Sequence, residues 1–263
     1  MDNRPIGVFD SGVGGLTVVK EIMRALPDES ICYFGDTMRA PYGELPNETI
    51  IAYARQIVTF LLGQNVKAMV AACNTMSATC LDLLSAALPV PIIGMVEPGV
   101  EAAAETASAS VCLLATAATV ASGLHERLLR DRDSRLIFHA RACPGFVALV
   151  EAGQGDSAAA VDAAHRVMAD LDMSRIDTVI LGCTHYPLMG KAIQQAAGQH
   201  VALVNPARKT AEMLENLLAK HRLLCMPRQV PQYRIYVSGD TDKCDFILKQ
   251  LFGDVLCAET TVL

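Results

Sequence analysis

The sequence lacks the features of two large functional classes. No uninterrupted apolar run reaches the roughly 18 residues of a membrane-spanning helix, since Glu97, Glu101 and Glu105 interrupt the most apolar region, residues 88–124. No cluster of basic residues is present and the formal net charge is −6, which argues against a nucleic-acid-binding surface. We therefore expect no membrane insertion and no nucleic-acid partner, whereas a small anionic substrate remains compatible with the composition.

Disulfide and secretion signals are also missing. The nine cysteines are an odd number and include no Cys-x-x-Cys pair, which favours reduced thiols over a disulfide framework. The first apolar run begins almost at the amino terminus, without the charged, apolar and cleavage regions of a signal peptide. We therefore expect a cytoplasmic protein.

What the sequence does contain is an alternation of short apolar runs and segments of helical periodicity. This alternation predicts an α/β protein with mainly parallel sheets. Helices are expected at residues 48–62, 75–87 and 157–171, with Asn47 as the cap of the first. Strands are expected at residues 5–10, 31–35, 66–72, 91–96, 111–115, 135–139, 176–182, 201–204 and 233–238.

One short motif occurs twice. Residues 66–79 and 176–189 each comprise an apolar run, a cysteine (Cys73 or Cys183), small polar residues and a helix-like segment. The cysteine falls at the carboxyl end of a strand, where open α/β sheets bind ligands. It also lies near the start of a helix, whose free N–H groups favour a thiolate.

A second pair of positions repeats at nearly the same offset. Ser11 and Thr116 each follow a strand and are 105 positions apart, while the two cysteines are 110 apart. The two offsets indicate an internal duplication. We therefore expect two similar halves that face one site.

The glycine-rich segment Asp10-Ser11-Gly12-Val13-Gly14-Gly15 lies between the first strand and a helix. This geometry is suited to binding an anion on backbone N–H groups. The dinucleotide fingerprint is incomplete, because Thr17 stands where its third glycine belongs. A tight structural turn is the alternative interpretation, and a nicotinamide or flavin site is disfavoured.

Two thiols that face one cleft indicate a specific chemistry. A cysteine pKa of about 8.5 is within reach of neutral pH, so one thiolate can remove a proton from a carbon while one thiol delivers a proton to the opposite face. This is racemisation or epimerisation. Asp10 is placed to assist Cys73, and His185 to assist Cys183. Hydroxyl and amide donors for a carboxylate and an ammonium are expected from Ser11, Asn74, Thr75 and Thr184.

Other interpretations of these cysteines remain open. Each cysteine alone can be a small buried hydrophobe. Cys183 and His185 can ligate zinc, although no second ligand pair is evident, and Cys183 can be the nucleophile of a hydrolase, which leaves Cys73 unexplained. A pyridoxal phosphate enzyme needs a Schiff-base lysine, for which the sequence offers no recognisable setting. We therefore expect no cofactor and no metal.

Several longer segments resemble glutamate racemases of the cofactor-independent aspartate/glutamate racemase superfamily. They are FDSGVGGLTV (9–18), FGDTMRAPYG (34–43), VAACNTMSA (70–78), VPIIGMVEPG (90–99) and LGCTHYPLM (181–189). The resemblance implies interconversion of L- and D-glutamate, which supplies D-glutamate for peptidoglycan, in a cytoplasmic homodimer. Racemases of aspartate or a hydantoin are the nearest alternatives. A binding protein without activity, or one that interacts with gyrase, is the alternative from another class.

The resemblance also implies a domain division and a set of site residues. Two α/β domains are expected, residues 1–97 with 209–263 and residues 98–208, with the site between them. Cys73 and Cys183 become the acid/base pair, with Asp10 and His185 as their helpers and Glu151 as a further catalytic candidate. The implied substrate contacts are Asp10, Ser11, Tyr42, Gly43, Asn74, Thr75, Thr116, Thr119, Thr184 and His185.

Overall fold

The chain alternates strands and helices along its length. The computed structural model describes residues 1–254 and 256–263. Its strands are β1 (Ile6–Asp10), β2 (Ile31–Gly35), β3 (Ala68–Ala71), β4 (Ile92–Ile93), β5 (Ser110–Ala115), β6 (Ile137–Ala142), β7 (Thr178–Gly182), β8 (Ala202–Val204), β9 (Tyr233–Val237) and β10 (Ala258–Thr260). Its α-helices are α1 (Leu16–Ala25), α2 (Asn47–Gly63), α3 (Asn74–Ala87), α4 (Val96–Thr106), α5 (Ala117–Ala121), α6 (Leu124–Arg132), α7 (Phe146–Glu151), α8 (Ala158–Met168), α9 (Gly190–Ala197), α10 (Pro206–Lys220) and α11 (Asp242–Phe252).

The central strands are covered on both faces. Every residue of β1, β2, β3, β5 and β7 is buried. This explains why these strands read as continuous apolar runs rather than as alternating patterns. In the part of the chain that the structure describes, no helix combines the length and the apolar character needed to span a bilayer.

The strands form two parallel sheets with the same core topology. The first sheet has the order β10-β9-β2-β1-β3-β4 and the second has the order β6-β5-β7-β8. The four strands β2-β1-β3-β4 therefore correspond to β6-β5-β7-β8, and β9 and β10 extend only the first sheet. In each unit the strand order reverses between its first and third strands, the switch point where such sheets bind ligands. The predicted fold class is confirmed: α/β, with two pseudo-symmetric doubly wound units.

Two helices lie where the chain passes between the sheets. Val96, Val100 and Ala103 of α4 pack in the core of the second sheet, whereas α10 packs its apolar face, including Ala207 and Leu214, in the core of the first. The division into residues 1–97 with 209–263 and residues 98–208 stays a prediction, and its boundaries fall within α4 and α10. The two parts are called the first and the second domain.

Several element boundaries differ from the sequence expectations. β4 is only Ile92–Ile93, because α4 begins already at Val96. β6 is Ile137–Ala142 and ends three residues later than expected. It is the edge strand of the second sheet and is partly exposed, which explains its weak apolar pattern. Pro46, not Asn47, is the N-cap residue of α2. The short strand β10 has no apolar pattern and was not predicted.

Candidate active site

Cys73 and Cys183 occupy equivalent positions at the carboxyl ends of the two sheets. Cys73 lies two residues beyond β3 and is the N-cap residue of α3, while Cys183 comes directly after β7. Both side chains are buried, with relative exposures of 6% and 8%. Because β3 and β7 are the third strands of their units, each cysteine lies at the switch point of its sheet.

The two cysteines differ in the element that comes next in the chain. A 3-10 turn, Tyr186–Met189, comes after Cys183, and α9 begins only at Gly190. The helix expected directly after Cys183 is therefore displaced. Cys73 is directly followed by a helix N-terminus and Cys183 is not. The positive charge beside Cys183 comes from the side chain of His185 instead.

One small cavity collects almost all of the predicted site residues. Its lining comes from both domains. Asp10 and Thr119 are the two predicted residues outside the lining, and each contacts a residue that belongs to it. The predicted residues in the lining are Ser11, Tyr42, Gly43, Cys73, Asn74, Thr75, Thr116, Glu151, Cys183, Thr184 and His185.

The glycine-rich turn after β1 lets the second domain approach closely. A Cβ atom on Gly14 would clash with Thr184 and with the ring of His185. The hydroxyl of Thr17 also donates to the carbonyl of Thr184 over 3.1 Å. The turn is thus a packing surface for the second cysteine motif, which favours the structural interpretation of this turn over a dinucleotide site.

The Cys73 side of the cavity is acidic and tightly buried. The thiol donates to the hydroxyl of Ser11 over 3.6 Å. Asp10 is fully buried, and its carboxylate accepts from the N–H of Gly12 over 2.9 Å and from the hydroxyl of Thr184 over 3.1 Å. Burial, reinforced by the charge of Asp10, raises the pKa of the Cys73 thiol to about 12. Cys73 is therefore a protonated acid at neutral pH.

Asp10 itself is held in a poorly solvated position. Burial raises the pKa of its carboxyl above the ordinary value, against the charge of His185 and the hydrogen bonds from Gly12 and Thr184. A carboxyl with a raised pKa exchanges protons more readily near neutral pH. Its influence on Cys73 acts through space, since the thiol's own hydrogen bond goes to Ser11.

The Cys183 side carries a cation. Nδ1 of His185 lies 3.8 Å from the sulfur of Cys183, and Nε2 lies 3.3 Å from Oε1 of Glu151. The second contact is off the axis of a good hydrogen bond, so it acts chiefly through charge. Burial opposes the imidazolium, but the contacts with Cys183 and Glu151 and the charge of Asp10 outweigh it, and the pKa of His185 rises to about 10. His185 can therefore donate a proton to the adjacent sulfur.

Glu151 lies between two cations, the imidazolium of His185 and the ammonium of Lys243. Its Oε2 accepts from Nζ of Lys243 over 3.1 Å. The contact with His185, together with Lys243, outweighs the effect of burial and lowers the pKa of Glu151 to about 2. Glu151 is thus a carboxylate throughout the neutral range.

Hydroxyl groups from the two domains meet at one wall of the cavity. Oγ1 of Thr75 lies 2.9 Å from Oγ1 of Thr116 and 3.4 Å from that of Thr119. A Cβ atom on Gly43 would lie 2.6 Å from Cβ of Thr116, so this wall needs a glycine there. The side-chain amide of Asn74 is buried, and both of its polar atoms lack a partner among the described residues. Because a buried polar group without a partner is costly, Asn74 is available for a ligand.

Other lining residues were missed by the sequence analysis. They are Gly12, Ala40, Pro41, Val147 and Gly182. Apolar residues such as Ala40 and Val147 have no reactive or polar group that a sequence motif would reveal. They line the cavity because the two domains come together there. Within the described residues, no group of three or more His, Cys, Asp and Glu side chains is arranged to hold a metal ion.

The fold and the cavity define a class of two-domain α/β proteins that place one cysteine from each of two related sheets in a shared site. The model of the Asp/Glu/Hydantoin racemase family matches residues 6–214. This chain belongs to the Asp/Glu/Hydantoin racemase family.

Individual relatives in this family cover nearly the whole chain. A glutamate racemase from Thermoanaerobacter pseudethanolicus is 41% identical over 97% of this chain and 95% of its own length. The crystal structure of glutamate racemase isoform RacE1 from Bacillus anthracis has a TM-score of 0.94 at 36% identity, covering 100% of this chain and 99% of that one. The structure of a Francisella tularensis glutamate racemase in complex with D-glutamate has a TM-score of 0.91 at 34% identity, covering 100% and 98%.

Proposed function

We propose that this protein interconverts L- and D-glutamate by proton transfer at the α-carbon, with Cys73 and Cys183 as the two acid/base groups. The observation that carries the proposal is the presence of both cysteines, at equivalent positions of the two sheets, in the lining of one cavity. A relative with the same fold is a glutamate racemase in complex with D-glutamate, which supports glutamate as the substrate.

Each direction of the reaction uses the thiols in opposite states. In one direction Cys183 removes the α-proton as a thiolate, while Cys73, held as a thiol by its buried and acidic surroundings, protonates the opposite face of the α-carbon. In the other direction Cys73 removes the proton and Cys183 returns one. Asp10 near Cys73 and His185 beside Cys183 are the proposed helpers, because each group must regain its starting proton after a turnover.

The same cavity offers donors for the charged groups of an amino acid. The N-terminus of α3 and the unpartnered amide of Asn74 are suited to a carboxylate. The threonine hydroxyls at positions 75, 116 and 119, with those of Ser11 and Thr184, supply further partners that do not titrate at neutral pH. The hydroxyl of Tyr42 is already engaged with Asp36, so the Tyr42–Gly43 segment contacts substrate through its backbone.

The wider setting is drawn from the family resemblance. We propose a cytoplasmic homodimer that supplies D-glutamate for peptidoglycan and thereby contributes to cell wall formation and cell shape. Sedimentation of the purified protein tests the dimer. Rescue of a bacterial strain that requires D-glutamate tests the supply role.

The decisive experiment is the circular dichroism of L-glutamate incubated with dialysed protein in the presence of a chelator and without an added cofactor. The signal is expected to fall to zero as the racemic mixture forms. Aspartate and a hydantoin serve as comparison substrates in the same assay. Faster racemisation of either one, or a strict need for pyridoxal phosphate or a metal, would overturn the proposal, as would binding of glutamate without any exchange.

A further inference from the structure

Helix α11 of the first domain contacts the end of α7 in the second domain, where Glu151 lines the cavity. Nζ of Lys243 lies 3.1 Å from Oε2 of Glu151. The ring of Phe246 lies against Gly153, where an added Cβ atom would be 3.3 Å from the ring. Lys243 and Phe246 are three residues apart and so share one face of the helix. We call these four residues the α11 clasp.

We propose that Lys243 is a positioning residue: through the α11 clasp it holds the carboxylate of Glu151 against His185. The inference rests on the proposed function, because His185 is the proposed helper of Cys183. The two oxygens of Glu151 divide their contacts, with Oε1 beside Nε2 of His185 and Oε2 beside Nζ of Lys243. Rotation of this carboxylate would remove the negative charge from the imidazole.

The position of Glu151 explains why it needs a second cation. Glu151 is the last residue of α7, where the partial negative charge of a helix end disfavours a carboxylate. Lys243 is 66% exposed, and an exposed ion pair contributes little to folding stability. The pair is therefore expected to fix the local position of Glu151 and the end of α7 rather than to add to the global stability of the fold.

The position of helix α11 is fixed by hydrogen bonds between the residues just before it and the segment after β2. The hydroxyl of Ser238 donates to the buried Asp36 over 2.7 Å, and the N–H of Gly239 donates to the hydroxyl of Thr37 over 3.0 Å. Asp36 in turn accepts from Tyr42, which lines the cavity. The start of α11, which carries Lys243, is thus hydrogen-bonded to the segment of the first domain that holds Tyr42.

The described ion pairs between the two domains offer a natural comparison. Besides Lys243 with Glu151, Lys209 of α10 pairs with Glu101 and Glu105 of α4. None of these last three residues lines the cavity. Lys249 is a second comparison, since it lies on α11 itself and pairs with Asp254 within the first domain.

The test is a double-mutant cycle on glutamate racemisation, measured in both directions. Lys243→Gln is expected to lower kcat about three- to fivefold with little change in KM, and Lys243→Arg to restore most of the loss. In the Glu151→Gln background, Lys243→Gln is expected to have no further effect. The controls Lys249→Gln and Lys209→Gln are expected to leave kcat unchanged. A Lys243→Gln variant with unchanged kcat, or the same fold-loss in both backgrounds, would overturn the inference.

A second measurement separates this inference from the proposed function. Amide hydrogen exchange of residues 146–154, without substrate, is expected to be faster in Lys243→Gln than in Lys249→Gln, because α7 loses its anchor. Equal exchange in the two variants would overturn the α11 clasp whatever the reaction is. If the wild-type protein fails to racemise glutamate while the two variants still differ in amide exchange, the proposed function is overturned and the α11 clasp is supported.

Discussion

The hydroxyl of Thr184 donates a hydrogen bond to the buried carboxylate of Asp10 over 3.1 Å, across the boundary between the two domains. Thr184 adjoins Cys183, whereas Asp10 is the proposed helper of Cys73. Thr184, which adjoins Cys183, therefore positions Asp10, the proposed helper of Cys73. The two halves of the site are complete only when the domains are in contact.

Asp10→Asn and His185→Asn test whether the helpers serve different thiols. Each substitution is expected to lower kcat/KM by about 10²-fold, with different divisions between kcat and KM in the two directions. The reason is that Asp10 raises the pKa of Cys73 through its charge, whereas His185 contacts the sulfur of Cys183 directly. Initial rates from L- and from D-glutamate measure the effect.

The equilibrium between the enantiomers provides an internal control for these helper variants. Free L- and D-glutamate have equal energy in water, so the ratio of kcat/KM for the two directions must stay at one in every variant. Identical changes in all kinetic parameters of both variants would argue against separate helper roles.

Gly14→Ala tests the close approach of the domains. The added methyl group clashes with Thr184 and His185 and is expected to push the second cysteine motif out of position. We expect kcat/KM to fall about tenfold or more, because small displacements of reacting groups are costly, while each domain keeps its fold. Kinetics and far-ultraviolet circular dichroism measure the two effects.

Gly63→Ala is the matched control for this glycine variant. An added Cβ atom on Gly63 meets nothing within 4 Å, and Gly63 lies at the end of α2, so alanine is expected to leave activity unchanged. Full activity of Gly14→Ala would show that the glycine-rich turn is not needed for domain contact.

The sequence predicted the two cysteine positions because each lies next to its own strand. Cys73 and Cys183 come after β3 and β7, and local apolar runs mark both strands. The near-equal offsets likewise predicted an internal duplication, which the structure shows as a repeated strand order. The role of Gly14 was not predictable in this way, since it depends on contact with residues some 170 positions further along the chain and has no local signal. The contact between Lys243 and Glu151 was missed for the same reason, since the two residues lie 92 positions apart.

The pH dependence of stability is expected to separate His185 from Glu151. The pKa of His185 is raised from 6.5 to about 10, so protonated His185 stabilises the fold fully below about pH 6.5, and this contribution is lost as the pH rises toward 10. The pKa of Glu151 is lowered from 4.5 to about 2. Its contribution is therefore present above pH 4.5 and lost as the pH falls toward 2.

Urea unfolding of wild type, His185→Asn and Glu151→Gln across pH measures these two contributions. The difference in unfolding free energy between wild type and His185→Asn is expected to shrink from pH 6.5 to 10. The difference for Glu151→Gln is expected to shrink from pH 4.5 downward. A His185 difference that is constant over its window would contradict the charged state assigned to the imidazole.

The division of labour between the thiols is tested by Cys73→Ser and Cys183→Ser. Serine is too weak an acid and base at neutral pH to replace either thiol, so both variants are expected to lose about a thousandfold in racemisation.

An analogue with a good leaving group on the β-carbon needs only proton abstraction before elimination. Each variant should then eliminate from one enantiomer only. We expect Cys183→Ser, which keeps Cys73, to act on the D enantiomer, and Cys73→Ser to act on the L enantiomer. Reversed preferences would exchange the faces assigned to the two thiols. Equal elimination from both enantiomers by either variant would contradict the two-base mechanism, because a single remaining thiol cannot reach both faces of the α-carbon.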